Sequence, residues 1–326
     1  MVARTLVCVL TMFDVQTNLR SAAAIGRLMY RMDKRHRRRT HEHLRLAFPE
    51  ISAEQRDDLA CRSFEHFVQL LIEICHTPRL IHRDGWAARM RLVRLGGAIE
   101  IFNSGKPAIM ITGHVGNWEV LGYLLAVLGV PLHAIARPLD NPLISDWLYG
   151  QRQRRGMQII TKWGATQRML NVLDGGGNLG FVADQNAGDK GLFVPFFGKL
   201  ASTYKSIGLL AMERRIAIVC GYAHRLDGRF QYELGTTDII YPDDWQRQPD
   251  PLYYITARYM RAIELMITRQ PDQYLWMHRR WKSRPRFERA GKPMPAGLRK
   301  NIEQLPWMNE SLFERIVTPA SSILGP

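Results

Sequence analysis

The sequence predicts an α/β fold, with a mostly parallel central sheet flanked by helices and a helical N-terminal part. From about residue 107 onward, short apolar runs alternate with stretches of helical periodicity, which is typical of a parallel sheet with crossover helices. Before that point the apolar positions recur at helical spacing. No linker rich in Pro, Gly or Ser divides the chain near its middle. We therefore expect a single domain over residues 1–287, with a helical part at 1–105 and an α/β core at 106–287.

The clearest helix of the N-terminal part is predicted to begin after Ser52. Gln55 follows three residues later, so the two side chains can form a capping box. Apolar residues then recur with a spacing of three and four, which gives one buried stripe. We expect this helix to end near His76, before Pro78.

The α/β core is predicted from the order of its apolar runs. The expected strands are 108–112, 132–136, 157–160, 179–182, 216–222 and 230–234. The expected helices are 118–128, 143–154, 165–173 and 202–214. Binding sites in such sheets form beyond the carboxyl ends of the strands. After residue 287 the periodicity fades, and we expect residues 288–326 to form a loosely attached tail.

The charge balance is strongly basic. The 326 residues include 45 Lys and Arg against 30 Asp and Glu, a net charge of +15. An excess of this size predicts an anionic partner, which can be nucleic acid, acidic phospholipid or an acidic carrier protein. The four cysteines form no CxxC pair, which argues against a disulfide framework or zinc knuckle and fits a reducing cytoplasm.

The apolar segment at residues 5–13 is too short to cross a membrane, since a spanning helix needs about 20 residues. It can serve as an interfacial anchor, or it can be a terminal helix packed on the core. The sequence leaves both interpretations open.

The first chemically informative segment is 113–119, Gly-His-Val-Gly-Asn-Trp-Glu, which follows the expected strand 108–112. Its two glycines predict a tight turn, and Asn117 can cap the next helix. A neutral imidazole beside a carboxylate is a general base held in one tautomer. We therefore predict His114 as the base and Glu119 as its partner. The chain lacks a G-x-S-x-G nucleophile elbow and has no cysteine near this turn, which favours direct attack by an acceptor.

Two further polar residues follow expected strands. Arg137 comes after the second strand, where it can bind a phosphate or a developing oxyanion, although a surface loop is the plainer interpretation. Asp184 follows strand 179–182 and can orient an acceptor hydroxyl or a basic neighbour, or it can simply form a turn. The His114 spacing differs from the HExxH pattern of a zinc helix, and we expect neither a metal nor a cofactor.

Three more segments suggest contact with lipid or phosphate. The apolar stretch 191–203 can line an acyl-chain groove or touch lipid, or it can be a core strand. The stretch 276–285 mixes aromatic and basic residues, so Arg279 and Arg280 are candidate phosphate ligands, although RNA would suit this composition too. The basic run 34–39 is either membrane-facing or a solvated helix face.

These motifs together resemble one family. Segment 113–119 resembles the His-four-Asp/Glu motif of glycerolipid-type acyltransferases, and in this form it is similar to the lipid A biosynthesis acyltransferase family, the late or secondary enzymes. The matching motifs continue with Arg-Pro-x-x-Asn-Pro at 137–142, Asp-Gln…Phe-Val-Pro-Phe-Phe-Gly at 184–198 and Trp-x-His-Arg-Arg-x-Lys-x-Arg-Pro at 276–285. The resemblance covers roughly residues 20–287. The short segment 5–13, in place of a fuller anchor, and the tail after 287 depart from the family pattern.

The resemblance implies a glycerol-3-phosphate-acyltransferase-like fold and a reaction. A fatty acyl chain would pass from an acyl-carrier-protein or acyl-CoA thioester to a hydroxyl of a glycolipid, foremost a lipid A precursor. The expected place is the cytoplasmic face of the bacterial inner membrane, with peripheral attachment or a short N-terminal anchor. His114 and Glu119 would be catalytic. The residues expected to bind substrate are Arg137, Asp184, Asn117, Arg279 and Arg280.

Three alternatives remain from the sequence. The chain can be a phosphatidylinositol-mannoside-type or other lipid acyltransferase, or a hydrolase in which the same histidine activates water. It can also be a basic nucleic-acid-binding protein. The charge and the basic runs favour the last alternative, whereas the absence of an RNP, KH or helix-turn-helix signature argues against it.

Overall fold

The computed structural model describes residues 2–136, 142–153, 156–161 and 164–317. The helices are α1 (Val2–Met12), α2 (Val15–Met32), α3 (Lys34–Ala47), α4 (Ala53–Leu80), α5 (Gly96–Asn103), α6 (Trp118–Val127), α7 (Pro142–Gln153), α8 (Ala165–Asp174), α9 (Ser206–Arg214), α10 (Pro242–Gln246), α11 (Pro251–Arg269), α12 (Arg286–Arg289), α13 (Ala296–Glu303) and α14 (Glu310–Val317). The strands are β1 (Met90–Val93), β2 (Ile109–Thr112), β3 (Leu132–Ile135), β4 (Gln158–Ile160), β5 (Asn178–Val182), β6 (Leu192–Phe196), β7 (Lys199–Thr203), β8 (Ile218–Arg225) and β9 (Tyr232–Ile240).

Seven of these strands form the central sheet, in the order β1-β9-β8-β2-β5-β3-β4. All neighbouring pairs in this sheet are parallel except β8 and β9, which are antiparallel. The α/β fold with a mostly parallel sheet, flanking helices and a helical N-terminal part is therefore confirmed.

The sheet is buried on both faces, and the side chains of β2 show why its sequence is apolar throughout. Ile109 and Ile111 belong to one core cluster, which includes α9 and α11, whereas Met110 belongs to a second cluster beneath α6. Successive side chains of a strand point to opposite faces, so a strand that is covered on both faces is apolar along its whole length.

The capping box of α4 is confirmed. The Ser52 hydroxyl accepts from the Gln55 amide at 3.1 Å, and the Gln55 side chain accepts from the Ser52 amide at 2.9 Å. The predicted end at His76 is wrong, because the helix continues through Pro78 to Leu80. The fully buried Ile81 directly beyond it anchors this last turn.

Helix α2 packs closely on α4. A side chain at Gly26 would place its Cβ 2.4 Å from the Glu65 Cα. The two helix backbones can therefore approach this closely only with glycine at position 26.

The apolar stretch 191–203 forms the antiparallel hairpin of β6 and β7. Its side chains Val194, Phe196 and Leu200 are fully buried in the core. The acyl-groove and lipid-contact interpretations of this stretch are therefore wrong, and the core-strand interpretation is right. The helix predicted at 202–214 begins only at Ser206, because Ser202 and Thr203 belong to β7.

The segment after residue 287 packs on the core as far as the structure describes it, to residue 317. Ile302, Leu305 and Ile316 are buried, and the Arg315 guanidinium donates to the Leu46 and Phe197 carbonyls at 3.2 and 3.4 Å. The prediction of a loosely attached tail is wrong over these residues. The helices of this segment are short, at most eight residues, so their apolar spacing extends over only about two turns.

None of the helices in the described residues is long and apolar enough to cross a membrane.

Candidate active site

The register of two neighbouring strands brings His114 and Asp184 together. Thr112 at the end of β2 pairs with Val182 at the end of β5, and the two strands are parallel. His114 and Asp184 each follow two residues later, so they leave the sheet side by side at its carboxyl edge. This is the edge at which a site is expected in an open α/β sheet.

The His114 imidazole is fixed by Asp184. Its Nδ1 lies 2.7 Å from the Asp184 Oδ1, and the Asp184 side chain is only 1% exposed. Burial raises the pKa of Asp184, but the charge and hydrogen bond of His114 outweigh it, so the pKa lies below its ordinary value. An ionised carboxylate at Nδ1 keeps the proton on that nitrogen and leaves the Nε2 lone pair free. Gln185 lies beside that lone pair, with its Nε2 3.5 Å from His114 Nε2.

Glu119 has a different partner from the one predicted. It accepts from Arg152 Nε at 2.8 Å and from Trp118 Nε1 at 3.0 Å, and it is mostly buried. The prediction that Glu119 fixes the tautomer of His114 is therefore wrong, and Asp184 occupies that place. Glu119 lies in the first turn of α6 and points across to α7, because Arg152 supplies a full positive charge in a largely desolvated position.

The turn that carries His114 depends on Gly116. Its φ is +59°, and a Cβ there would lie 2.2 Å from the Ala223 carbonyl oxygen. Beyond the turn, Gly116 donates to the Gln273 carbonyl and Leu275 donates to the His114 carbonyl. These bonds attach the segment that follows α11 to the turn that carries His114. They bring His278 to the site, with its ring 4.8 Å from that of His114.

His278 is held neutral by its surroundings. Burial and the neighbouring His114 lower its pKa to about 4. A neutral ring places no second positive charge beside His114.

Asn117 caps α6 rather than binding substrate. It is fully buried, its Oδ1 accepts from the Val120 amide at 2.9 Å, and its Nδ2 donates to Glu73 at 2.7 Å. The capping prediction is confirmed, but the substrate-binding prediction is wrong, since both ends of the amide are occupied.

The two neighbouring arginines of the 276–285 motif have opposite environments. Arg280 is 1% exposed and donates to the Thr203 hydroxyl at 2.7 Å and to the Ser202 carbonyl. It therefore fastens the β6–β7 hairpin, and its prediction as a phosphate ligand is wrong. Arg279 is exposed. Arg137, the predicted anion ligand after β3, lies outside the described residues.

An apolar pocket is lined in part by Trp118, whose ring lies edge-on to that of His114 with centroids 4.8 Å apart. Glu119 and Arg152 also line this pocket. The space encloses about 590 Å³, part of it open to solvent. It lies between α6 and the face of β2, β5 and β3, and its lining includes Gly122, Leu125, Leu132, Met157 and Gly180.

The geometry combines a histidine paired with a buried aspartate, an amide at its other ring nitrogen and a nearby apolar pocket. The family model described as bacterial lipid A biosynthesis acyltransferase matches residues 4–283. The chain belongs to this family. It is therefore an acyltransferase.

Relatives within the lipid A biosynthesis acyltransferase family differ in the acyl group of their names. The lipid A biosynthesis lauroyltransferase of Escherichia coli is 28% identical over 269 residues, 82% of this chain and 85% of the relative. The palmitoleoyltransferase of the same organism is 27% identical over 274 residues, 80% and 83% of the two chains. Its myristoyltransferase is 23% identical over 275 residues, 80% of each chain.

Three residues of the candidate site in this lipid A biosynthesis acyltransferase are not predicted from its sequence. Arg152 lies in a helix without a distinctive motif, so its pairing with Glu119 leaves no local signal. His278 and Gln185 lie inside segments singled out for other residues. Their position next to His114 follows from contacts between distant parts of the chain.

Proposed function

We propose that the protein transfers a fatty acyl chain from an acyl-carrier-protein or acyl-CoA thioester to a hydroxyl of a lipid A precursor. The observation that carries this proposal is an apolar pocket lined by Trp118, whose ring contacts an imidazole that is hydrogen-bonded through Nδ1 to Asp184. The names of the relatives support the acceptor class, since all of them refer to lipid A biosynthesis.

The proposed step needs one base and no covalent enzyme intermediate. The acceptor hydroxyl lies against His114 Nε2, which takes its proton as the oxygen attacks the thioester carbonyl carbon. An oxygen–carbon bond forms, the carbon–sulfur bond breaks, and the thiolate leaves with the proton returned by the imidazolium. Asp184 stabilises that imidazolium, in the way a buried carboxylate does in other histidine-dependent acyl transfers.

The ion pair at the pocket mouth is proposed to face the reacting carbonyl. Arg152 lines the pocket beside Trp118, and a guanidinium there can donate to the oxygen that becomes negative during attack. Glu119 holds Arg152 in place and is thus a positioning residue. Arg137 stays a prediction as a further ligand of the oxyanion or of an anionic substrate group.

The acyl chain is proposed to lie in the apolar pocket. Its walls come from α6 and from the strands that also carry His114 and Asp184, so a chain lying there would hold its thioester end near Trp118. Burial of methylene groups along the walls contributes about 0.8 kcal/mol each. The β6–β7 hairpin offers no comparable space, because its side chains pack in the core.

The test is transfer by the purified protein from acyl carrier protein and from acyl-CoA to a lipid A precursor, followed by mass spectrometry of the lipid. His114→Ala should abolish acylated product while its thermal unfolding stays close to that of the unchanged protein. His82→Ala, an exposed histidine away from the turn, is the matched control and should keep full activity. Near-normal turnover by His114→Ala would contradict the assignment of His114 as the general base. Release of free fatty acid without acylated lipid would favour a hydrolase.

We also propose that the protein works at the cytoplasmic face of the inner membrane and attaches peripherally. Ile25, Leu28 and Met32 lie on one face of α2 and are more than half exposed, at 56%, 54% and 73%. Met12 and Phe13, at the end of α1, are also exposed, and Arg27 and Arg31 flank the face. An apolar stripe bordered by arginines suits an anionic lipid surface.

Vesicle sedimentation tests this attachment. Replacing Ile25 and Leu28 with Ser should reduce binding to vesicles that contain an anionic phospholipid, whereas the same change at the exposed Ala24 should not. Equal sedimentation of both variants would contradict the proposal.

A further inference from the structure

Arginines close to His278 take no part in the His114–Asp184 pair or in the lining of the apolar pocket. Arg39 and Arg35 lie on α3, and Arg279 follows His278. The Arg39 Nη1 donates to the Met277 carbonyl at 3.0 Å. Because Met277 directly precedes His278, this hydrogen bond fixes a guanidinium close to the ring that contacts His114.

The carboxylates nearest to Arg39 raise its pKa by their charge but form their own ion pairs with other residues. The nearest carboxylates on α3 and at its cap are engaged elsewhere, since Glu42 pairs with Arg38 and Asp33 pairs with His36. Neither Arg39 nor Arg279 forms an ion pair with any described carboxylate. Burial, followed by the charges of Arg279 and Arg35, lowers the pKa of Arg39.

Such an arrangement costs free energy in the empty protein. Two guanidinium groups repel each other, and Arg39 is partly withdrawn from water. An anion between them would remove both costs. The planar guanidinium donates two parallel hydrogen bonds and matches a phosphate in particular.

We propose that Arg39 and Arg279 form a phosphate-binding subsite at the mouth of the catalytic cleft. This inference rests on the proposed acyl transfer and deepens it, because it gives one substrate a phosphate group near the reacting hydroxyl. The phosphate is either one borne by the saccharide acceptor or the phosphodiester of the pantetheine arm on the donor. The chemistry recognised is the same for both sources.

Arg279 differs from its neighbour in the way this subsite requires. Arg280 is buried and donates to Ser202 and Thr203 of the β6–β7 hairpin, whereas Arg279 is exposed. Arg38 provides a contrast on α3, because it is 85% exposed and is paired with Glu42. Replacing Arg38 removes the same charge from the same helix without touching the subsite, so it is the matched control.

Kinetics with defined substrates tests the subsite. The double variant Arg39→Gln, Arg279→Gln should raise the KM of one substrate by about tenfold or more, the loss expected for charge-assisted hydrogen bonds, with little change in kcat. Arg38→Gln should leave that KM unchanged. If the phosphate belongs to the acceptor, a dephosphorylated acceptor should make the double variant and the unchanged protein equal. If it belongs to the donor, an acyl-pantetheine without phosphate should do so.

A binding measurement keeps the inference testable apart from turnover. Titration with pyrophosphate as the probe should show weaker binding by the double variant than by the unchanged protein or Arg38→Gln. Equal pyrophosphate binding by all three proteins, or a KM increase that persists with phosphate-free substrates, would overturn the subsite. Either result leaves acyl transfer and its loss in His114→Ala untouched. By contrast, a failure of the proposed function would appear as absent transfer by the unchanged protein.

Discussion

At His114, the hydrogen bond from Nδ1 to Asp184 decides what the side chain can do. Asp184 is buried, and its pKa is held below the ordinary value by His114 itself, so it remains an acceptor over the physiological range. The proton therefore stays on Nδ1, and Nε2 is available as a base. Glu119, which is closer to His114 in sequence, forms an ion pair with Arg152 instead.

Exchange of Asp184 for Asn tests this division of roles. An amide in place of the carboxylate can stabilise the wrong tautomer and cannot stabilise an imidazolium, so we expect kcat to fall on the order of 10³–10⁴-fold, as for a triad carboxylate. Steady-state transfer to a lipid A precursor is the measurement. Thermal unfolding checks that the variant is folded.

Glu119→Gln is the comparison for that experiment, since it removes the same charge from the carboxylate that was predicted from the motif. It should weaken the hold on Arg152 but leave the tautomer of His114 intact, so its loss in kcat should be smaller than that of Asp184→Asn. A larger loss in kcat for Glu119→Gln than for Asp184→Asn would indicate that Glu119 is the partner of His114.

The sequence predicts the site residues better than it predicts their contacts. His114 and Asp184 both follow apolar runs, so their place at strand ends can be inferred from the chain. Their pairing depends on β2 and β5 being neighbours in register, although β3 and β4 lie between them in sequence. Glu119 is near His114 in the chain, so the motif predicts it as the partner of that histidine. Only the position of α7 shows that Glu119 contacts Arg152.

At the scale of elements, α6 and the sheet beneath it form a pocket whose depth depends on small residues. Gly122 in α6 faces Met157, and a Cβ at Gly122 would lie 2.6 Å from the Met157 Cε. Gly180 of β5 similarly faces Leu132, with 3.1 Å from an added Cβ to the Leu132 Cδ1. These four residues line the pocket, so under the proposed function their side chains would limit how long an acyl chain fits.

Gly122→Ala should shift the donor preference toward shorter acyl chains. The added methyl group pushes the end of the flexible Met157 side chain into the pocket, while alanine in a helix interior is favoured over glycine by about 1 kcal/mol. The variant should therefore remain folded with a smaller pocket. The ratio of kcat/KM values for a series of saturated acyl donors is the measurement.

Met157→Ala is the reciprocal change and should extend the preference toward longer chains, because it removes the side chain that closes the inner end. Ala126→Gly, on the outer part of the same helix, alters helix propensity without lining the pocket. If Gly122→Ala and Met157→Ala changed kcat/KM by the same factor for all donors, the acyl chain would not bind in this pocket.

An apolar stretch of sequence can form either a packed core strand or the wall of a pocket. The stretch 192–203 and the walls of the pocket are both apolar, but the first is filled by its own packing against α11 and the second is left open. Hydrophobicity alone indicates that a segment avoids water and does not distinguish a filled core from a cavity. The C-terminal helices α13 and α14 are only eight residues each, so the apolar spacing around Ile302 and Ile316 extends over about two turns and is a weak signal.

At the scale of the whole molecule, several histidines are buried in neutral form. Burial lowers the pKa of His43 to about 4 and that of His224 to about 3, and burial with the nearby His114 lowers that of His278 to about 4. In the unfolded chain the same imidazoles have a pKa near 6.5. Between that value and about 4 the unfolded chain therefore binds more protons than the folded protein.

The free energy of unfolding should consequently fall as the pH is lowered from about 6.5 toward about 4, by up to about 1.4 kcal/mol per pH unit for each such histidine. The sign follows from linkage, since stability rises with pH wherever the unfolded state holds the extra protons. Asp184 acts outside this window, because its pKa is lowered and its contribution is lost only below the ordinary range of an aspartate. Urea unfolding at a series of pH values measures the slope.

His224→Gln isolates one of these histidines. His224 is 2% exposed, stacks on Tyr222, and lies near Arg269 and Glu233. A glutamine takes up no proton, so the slope of stability against pH should become shallower even if the absolute stability drops with the lost stacking. His82→Gln, at an exposed position, should keep the original slope. An unchanged slope in His224→Gln would mean that this imidazole accepts its proton in the folded protein, and the pH response would then have to come from the other buried histidines.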